Sequence, residues 1–400
     1  MPNVSDLAIN GGTPVRSTIL SYGKQTIDAD DIRAVTDQLK SAWLTTGPTV
    51  GEFEKAFAAF TGAKEAVAVS NGTAALHAAV RALGIKSGDE VIVPAMTFAA
   101  TANAVLFEGG TPVFADVNAD TLLIDPASVQ SLITSKAKAV IAVDYAGQPC
   151  DYDALRAVTS KKNLPIIDDA CHALGGSFNG KPVGTLADLN TFSFHPVKPL
   201  TTGEGGMITT DNVEYAKTMR AFRNHCLTSD HRERELKGSW FYEVTDLGYN
   251  YRLTDIQCAL GLSQLKKLSG WVKRRQEIAK NYDAAFASNE LLQPLTVRSG
   301  VSHGYHLYVI RLAPEKLTAD RDEVFRALRA EGIGVNVHYI PVHLHPVYRK
   351  KLGTKEGMCP IAERVFTTII TLPVWPGMSD GDTEDVIAAV EKVLGAFRKS

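Results

Sequence analysis

The chain has 400 residues, of which 45% are apolar and 22% charged, a composition typical of a globular protein. Lys and Arg number 42 against 44 Asp and Glu, so the formal net charge is −2. This balance, without a basic block, argues against nucleic acid as the main partner. The length predicts one large and one smaller domain, because a single hydrophobic core rarely serves so many residues.

Targeting and metal signals are also missing from the sequence. The N-terminal stretch MPNVSDLAINGG lacks the basic and then apolar layout of a secretory signal, and no apolar run reaches membrane-spanning length. The five cysteines are scattered, odd in number and without metal-site spacing. We therefore expect reduced thiols, a cytoplasmic protein and no bound metal.

Residues 64–225 alternate short apolar strands with amphipathic helices. The predicted strands are KEAVAVS, DEVIVPA, TPVFADV, AKAVIAVDYAG and LPIIDDA, followed by FSFH and GGMITT. Helical stretches such as TAALHAAVRALG lie between them, with apolar residues spaced by three and four. This order predicts an α/β fold with a mostly parallel sheet that is covered on both faces.

The remaining sequence predicts a second, α+β unit. A long helical pattern, LTDIQCALGLSQLKKLSGWVKRRQEIAKNYDAAF, is interrupted near Ser269-Gly270. It is followed by a strand (HLYVIRL), a helix (DRDEVFRALRAEG), a strand (VNVHYIP) and a closing helix (TEDVIAAVEKVLGAF). We predict an N-terminal segment and large domain over residues 1–265 and a small C-terminal domain over residues 266–400. The polar residues 228–239 predict an exposed loop.

One lysine stands in an unusual setting. In FSFHPVKPLTTGEGG, Lys198 lies between Pro196 and Pro199, after a strand and before a glycine-rich turn. The prolines exclude a helix and hold the segment rigid. An amine that must be neutral to form an imine benefits from such a fixed, partly desolvated site. On its own, however, the pattern is more often that of a solvated surface lysine.

Polar residues also follow the strand LPIIDD. Asp168 and Asp169 end this strand, and His172 follows in a loop. Ligands of open parallel sheets bind beyond the carboxyl ends of the strands. Because neighbouring strand residues point to opposite faces, one aspartate should face a ligand and the other turn away. A helix cap or a solvated turn is the alternative for a single strand-end aspartate.

Two further motifs complete a candidate site. In SNGTAALHAAV, a strand ends at Ser70, and Gly72 and Thr73 open a helix whose free N–H groups are suited to a phosphate. An ordinary N-cap would have the same sequence. In VPAMTFAATANAV, Phe98 lies just beyond a strand, where it could stack on a flat ring or pack in the core.

The order of these motifs resembles the fold-type I, pyridoxal 5′-phosphate (PLP)-dependent sugar aminotransferases of the DegT/DnrJ/EryC1/StrS family. The resemblance runs from SYGKQTIDADDIRAV to LPVWPGMSD and is carried by SNGTAAL, DDACHALG, FSFHPVK, EGG and GYNYRLTDIQ. It implies an aspartate aminotransferase-like fold with PLP as cofactor. By this resemblance Lys198 is the catalytic Schiff-base lysine, and the cofactor is further held by Asp169 at the pyridine nitrogen, Phe98 on the ring, His172 near the phenolic oxygen, and Gly72, Thr73 and Ser193 at the phosphate.

The resemblance also implies a homodimer with shared active sites. Asn250, in GYNYR, is expected to reach the phosphate of the cofactor in the partner subunit. Within the family, VDYAGQP, FSFHPVKPLTTGEGG, QCALGLSQLKKL and VNVHYIPVHLHPVY are most similar to the PseC branch. Tyr22, Thr45, His338 and Tyr339 are the expected contacts to its sugar nucleotide.

The branch resemblance implies a specific reaction. An amino group would pass from L-glutamate to C4 of UDP-2-acetamido-2,6-dideoxy-β-L-arabino-hex-4-ulose, giving UDP-4-amino-4,6-dideoxy-N-acetyl-β-L-altrosamine in pseudaminic acid biosynthesis. The alternatives are a nucleotide-sugar aminotransferase with another keto sugar or ring position, a PLP-dependent sugar dehydratase, and a PLP-binding sensor. The dehydratases of this family replace the lysine with histidine, whereas Lys198 is present here.

Overall fold

The computed structural model describes residues 3–399, apart from the side chains at positions 231 and 233. The strands are β1 (Glu65–Val69), β2 (Glu90–Pro94), β3 (Thr111–Ala115), β4 (Ala137–Val143), β5 (Ile166–Asp169), β6 (Ser177–Phe178), β7 (Lys181–Pro182), β8 (Leu189–Ser193), β9 (Gly206–Thr210), β10 (Leu292–Pro294), β11 (Val301–Ser302), β12 (Tyr308–Leu312) and β13 (Ile369–Leu372).

The helices connect these strands and cover the sheets. They are α1 (Ala29–Leu39), α2 (Pro48–Thr61), α3 (Gly72–Ala82), α4 (Ala99–Phe107), α5 (Pro126–Leu132), α6 (Tyr152–Thr159), α7 (Val213–Phe222), α8 (His231–Leu236), α9 (Asp255–Leu265), α10 (Leu268–Phe286), α11 (Arg321–Ala330), α12 (Pro346–Leu352), α13 (Pro360–Phe366) and α14 (Asp380–Ala396). Within the described part of the chain, no helix is both long and apolar enough to cross a membrane.

The main sheet has seven strands in the order β1-β9-β8-β5-β4-β2-β3. Strands β3, β2, β4, β5 and β8 pair in parallel, while β9 runs antiparallel to both β8 and β1. The predicted α/β fold with a mostly parallel sheet is therefore confirmed. The central strands are buried along nearly their whole length, which explains why they read as continuous apolar runs.

The pairing register brings several strand ends to one edge of this sheet. Asp169, the last residue of β5, lies opposite Val143 of β4 and Thr191 of β8. Strand β1 runs directly into the start of α3, and β2 ends four residues before Phe98, which precedes α4. The polar motifs of the sequence therefore meet at the carboxyl edge, where ligands of open α/β sheets bind.

Buried apolar side chains form two cores. The larger core surrounds the seven-stranded sheet, and the smaller lies between the three-stranded sheet β10-β12-β13 and the helices α10, α11 and α14. Leu7 and Leu20, near the N-terminus, pack in the smaller core. The division of the chain at residues 265 and 266 stays a prediction.

Three local predictions differ from the structure. The helical break lies between α9 and α10, at residues 266–267, and Gly270 lies inside α10; at the break, the Lys267 ammonium pairs with Asp28 and Asp31 of the α1 start. The stretch VNVHYIP makes only an isolated bridge, from Asn336 to Thr371 of β13, and not a strand. The expected loop at residues 228–239 contains the short helix α8.

Candidate active site at the carboxyl edge of the sheet

Lys198 lies in a tight turn after β8. Its backbone N–H donates to the carbonyl oxygen of His195 at 2.9 Å, which fixes the segment that the flanking prolines keep out of a helix. Burial lowers the pKa of Lys198 below its usual value, against the opposing effects of the nearby Cys171 thiol and Asp169 carboxylate. A lowered pKa makes the neutral amine more accessible, as nucleophilic and basic lysines require.

Asp169 is the aspartate on the side of this lysine. Its side chain is buried, and its Oδ2 accepts a hydrogen bond of 2.8 Å from the Thr101 hydroxyl. The backbone N–H of Cys171 donates to its Oδ1 at 3.4 Å. Two donors orient the carboxylate, so it can present its remaining lone pairs to a ligand N–H.

Asp168 points to the opposite face, as the alternation along a strand requires. It is fully buried, and among the described residues neither carboxyl oxygen has a hydrogen-bond partner. Burial, and then the like charge of Asp144, raise the pKa of Asp168 well above its usual value. The Tyr152 hydroxyl donates to Asp144 at 2.8 Å, and burial raises the pKa of Asp144 to about 7. The raised pKa favours the neutral form of Asp168, which lies behind the site.

The start of α3 packs closely against the end of β8. The Asn71 side chain accepts a hydrogen bond from the backbone N–H of Ala74 at 2.8 Å and caps the helix. The backbone N–H groups of Gly72 and Thr73, in the first turn, have no acceptor within the helix. A methyl group on Gly72 would lie 2.8 Å from Cβ of Ser193. Only glycine fits at this contact, and it brings the helix terminus and the Ser193 hydroxyl together as donors for one anion.

Aromatic and imidazole rings form one wall of the site. Phe98 is 60% exposed, so one face of its ring is free, and its centroid lies 6.0 Å from that of Tyr339. The Tyr339 hydroxyl lies 3.1 Å from Nε2 of His172. Tyr22 and His338 rings are 5.4 Å apart, and Nδ1 of His338 lies 2.8 Å from the Thr371 hydroxyl.

Two residues of this wall were not found from the sequence. His306 is buried with its ring centroid 4.5 Å from that of His172, and burial lowers the pKa of both imidazoles well below the usual value. The Tyr145 hydroxyl donates to the carbonyl oxygen of His338. His306 directly precedes the apolar stretch LYVIRL, and this apolar context gives no signal of a site.

Thr45 and Asn250 have their contacts elsewhere in the chain. Thr45 forms an isolated bridge with Thr254 and Asn250 one with Asn224, and both residues are exposed. The structure thus gathers the other predicted residues at one edge and leaves these two on the surface of the subunit.

The site matches the chemical demands of PLP. The start of α3 and Ser193 offer donors for a phosphate, Asp169 offers an oriented carboxylate, and Phe98 has a free face for a ring. Nδ1 of His172 is buried without a partner among the described residues, so it is available to a ligand. Lys198 has an amine of the kind that forms an imine with an aldehyde.

Comparisons with known proteins give the family. Residues 25–391 match the DegT/DnrJ/EryC1/StrS aminotransferase family. The spore coat polysaccharide biosynthesis protein SpsC of Bacillus subtilis is 44% identical over 381 residues, which are 95% of this chain and 98% of that protein. The chain belongs to the DegT/DnrJ/EryC1/StrS aminotransferases, and its cofactor is PLP.

Solved structures agree with this assignment. Spr1654 of Streptococcus pneumoniae, assigned to the sugar aminotransferases and solved in its PMP form, matches with a TM-score of 0.89 and 34% identity over 94% of this chain and 99% of that one. PseC of Helicobacter pylori, an aminotransferase of pseudaminic acid biosynthesis, matches with a TM-score of 0.89 and 33% identity over 95% of this chain and 100% of that one.

Proposed function

We propose that the chain transfers an amino group from L-glutamate to C4 of a UDP-linked 4-keto-6-deoxy-N-acetylhexosamine. The substrate is UDP-2-acetamido-2,6-dideoxy-β-L-arabino-hex-4-ulose, and the product is the 4-amino sugar nucleotide of pseudaminic acid biosynthesis. The observation that carries this proposal is the partly buried Lys198 amine beside Asp169 at the carboxyl edge of the sheet. Similarity to PseC supports the choice of sugar.

One group of site residues holds the cofactor. Asp169 would accept a hydrogen bond from the ring N–H of the cofactor, and Phe98 would cover one face of the ring. Gly72, Thr73 and Ser193 would donate to the phosphate, and His172 would lie near the phenolic oxygen. When bound, the cofactor supplies a protonated ring that stabilises negative charge at the carbon that loses a proton.

Lys198 moves the proton. As a neutral amine it takes the α-proton of glutamate, and in the second half-reaction it returns a proton to C4 of the sugar. 2-Oxoglutarate leaves before the keto sugar binds, and the amino group of glutamate stays with the holoenzyme until the sugar takes it up, so the kinetics should be ping-pong. Tyr22, His338 and Tyr339 line the same wall and contact the sugar nucleotide. Thr45, on the surface of the subunit, stays a predicted contact.

The functional unit is a homodimer in this proposal. Exposed apolar side chains cluster before Asn250, among them Leu236, Trp240, Phe241 and Leu247. Such a patch is typical of a protein–protein interface. The partner subunit covers it, and Asn250 reaches the phosphate of the partner's cofactor. The cytoplasmic location stays a prediction.

A different keto sugar is the second candidate. SpsC, at 44% identity, is named for spore coat polysaccharide biosynthesis, a different use of a sugar aminotransferase. A panel of UDP- and dTDP-linked 4-keto-6-deoxysugars, with the aminated carbon identified by NMR, separates the candidates. Amination at C4 of the UDP-linked N-acetylhexosamine is expected; preferred turnover of a dTDP-linked sugar would contradict the proposal.

Replacement of the lysine tests the chemistry. Lys198→Ala should abolish turnover while the cofactor remains bound without a covalent link. Lys350→Ala, at an exposed position of α12, is the matched control and should keep full activity. An active Lys198→Ala enzyme would rule out the proposed role.

A further inference from the structure

A buried imidazole lies beneath the segment that carries Asn250. His77 of α3 is 1% exposed, and burial lowers its pKa below the usual value, so the ring is neutral near pH 7. Its Nε2 lies 2.8 Å from a carboxylate oxygen of Glu108, and its Nδ1 lies 3.1 Å from the Tyr251 hydroxyl. A neutral imidazole satisfies both contacts when Nε2–H donates to Glu108 and Nδ1 accepts from Tyr251.

The same helix makes a second connection to this segment. Arg81, one turn after His77, donates to Glu108 at 3.1 Å and to the carboxylate of Asp246. The backbone N–H of Ser70, just before α3, donates to the carbonyl oxygen of Tyr251 at 2.8 Å. Residues 246–251 are therefore attached to α3 at both ends.

The contacts of the two flanking tyrosines, together with the backbone bridge of Asn250 to Asn224, set the direction of Asn250. The Tyr249 and Tyr251 rings stack on each other at 5.0 Å with an interplanar angle of 14°, and both contact the His77 ring. In an extended segment, alternate side chains point to opposite sides. With both tyrosines turned toward His77, Asn250 between them points outward, in accord with its exposure.

We propose that His77 is a positioning residue that directs Asn250 toward the cofactor phosphate of the partner subunit. The inference rests on the proposed function, specifically on the shared phosphate contact. Because the start of α3 holds Gly72 and Thr73, one helix then organises both phosphate contacts of the dimer: its first turn serves its own subunit, and His77 serves the partner.

The test measures cofactor affinity. The full-length protein is stripped of cofactor and titrated with PLP and with pyridoxal, which lacks the phosphate, for the wild type and for Asn250→Ala, Tyr251→Phe, His77→Gln and the Asn250→Ala/Tyr251→Phe double variant. Tyr251→Phe removes only the hydroxyl that meets His77. Tyr282→Phe is the matched control, since it removes a buried hydroxyl that donates to Pro373 at 2.8 Å in the smaller core.

Asn250→Ala should weaken PLP binding about tenfold, the order expected for one hydrogen bond to a charged group, with pyridoxal unaffected. Tyr251→Phe and His77→Gln should weaken PLP at least threefold, again without change for pyridoxal. The double variant should be no weaker than Asn250→Ala alone, because the three residues act through one contact. Tyr282→Phe should lower the melting temperature and leave both affinities unchanged.

The contrary results are distinct. Wild-type protein that does not bind PLP would refute the proposed function itself. Bound PLP with unchanged affinity in Asn250→Ala would refute the shared phosphate contact and the inference with it. A weakened Asn250→Ala beside unchanged Tyr251→Phe and His77→Gln, or additive losses in the double variant, would overturn the role of His77 alone.

Discussion

The Thr101 hydroxyl donates a hydrogen bond of 2.8 Å to Oδ2 of Asp169. The hydroxyl oxygens of Thr97 and Thr101 are also 2.8 Å apart. A hydroxyl has one proton, and that of Thr101 goes to Asp169, so Thr97 is the donor to Thr101. Thr101 lies in the first turn of α4, and Thr97 lies two residues before this helix. The donor that meets Asp169 therefore stands on a helix, which is more rigid than a loop.

Thr101→Val should therefore weaken PLP binding. It is nearly isosteric and leaves one buried carboxylate oxygen without its donor, a loss of about 1.5–3 kcal/mol for a hydrogen bond to a charged group. We expect about a tenfold to hundredfold increase in the dissociation constant of PLP, measured by titration of the cofactor-free protein. Thr97→Val removes only the hydrogen bond between Thr97 and Thr101 and should have a smaller effect. Equal PLP affinities for wild type and Thr101→Val would contradict the role of Thr101 in holding Asp169.

Amide substitution should affect turnover strongly at Asp169 and weakly at Asp168. Asp169→Asn should reduce turnover by at least a hundredfold, because the amide cannot hold the ring N–H as a charged carboxylate does. Asp168→Asn should keep activity within a few-fold, since Asp168 points away from the site and its raised pKa favours the neutral acid, which an amide resembles.

Asp168→Asn should also stabilise the protein at neutral pH. The folded-state pKa of Asp168 is raised, so wild-type stability declines as the pH rises above the unfolded-state value of 3.8, and the amide removes this decline. Urea unfolding at pH 5 and pH 8 measures the difference. A difference in stability between variant and wild type that is the same at pH 5 and pH 8 would contradict the raised pKa of Asp168.

Gly72→Ala tests the close contact at the start of α3. The added methyl would lie 2.8 Å from Cβ of Ser193, so helix and strand must separate. We expect at least a tenfold loss in PLP affinity and a destabilisation of about 1–3 kcal/mol. The control is Gly270→Ala in α10, where nothing lies within 4 Å and removal of a helical glycine should stabilise by about 0.5–1 kcal/mol. Normal PLP binding by Gly72→Ala would rule out a phosphate site between the start of α3 and Ser193.

Buried imidazoles make the fold sensitive to acid. Burial lowers the pKa of His303 from 6.5 to about 3, and its Nδ1 accepts from the N–H of Tyr305 at 2.8 Å. Below the unfolded-state pKa the unfolded chain binds a proton that the folded chain does not. Stability should therefore be lost as the pH falls from 6.5 toward 3, by about 1.4 kcal/mol per pH unit for this group.

His303→Asn keeps an acceptor at the same position. It should reduce the slope of stability against pH by about 1.4 kcal/mol per pH unit, the contribution of one proton. His195→Asn, at an exposed position, serves as the control. The measurement is the free energy of unfolding of the cofactor-free protein between pH 4.5 and pH 6.5. A slope unchanged by His303→Asn would show that this imidazole does not titrate on unfolding.

Much of the fold and of the candidate site could be predicted from the sequence. The central strands are short apolar runs. Asp169 ends one of them and Lys198 lies five residues after another, so the predicted strand ends were enough to place both residues at one edge of the sheet. The stretch VNVHYIP misled because its alternating β-branched residues are typical of a strand, whereas His338 and Tyr339 turn their side chains to the site and only Asn336 pairs.

Other features depend on contacts between distant residues. Thr101 and Asp169 are 68 positions apart, and His77 and Tyr251 are 174 apart. Neither pair has a spacing that a helix or a strand would repeat, and each residue alone looks like an ordinary member of its element. Such partners become visible only when the sheet register and the packing of α3 are known.

The most direct measurement is borohydride reduction of the holoprotein followed by mass analysis of its peptides. The account predicts that the peptide containing Lys198, and none of the peptides with other lysines, gains the mass of the reduced cofactor. Reduction that leaves this peptide unmodified, or that labels a different lysine, would contradict the central claim that the amine at position 198 holds and serves the cofactor.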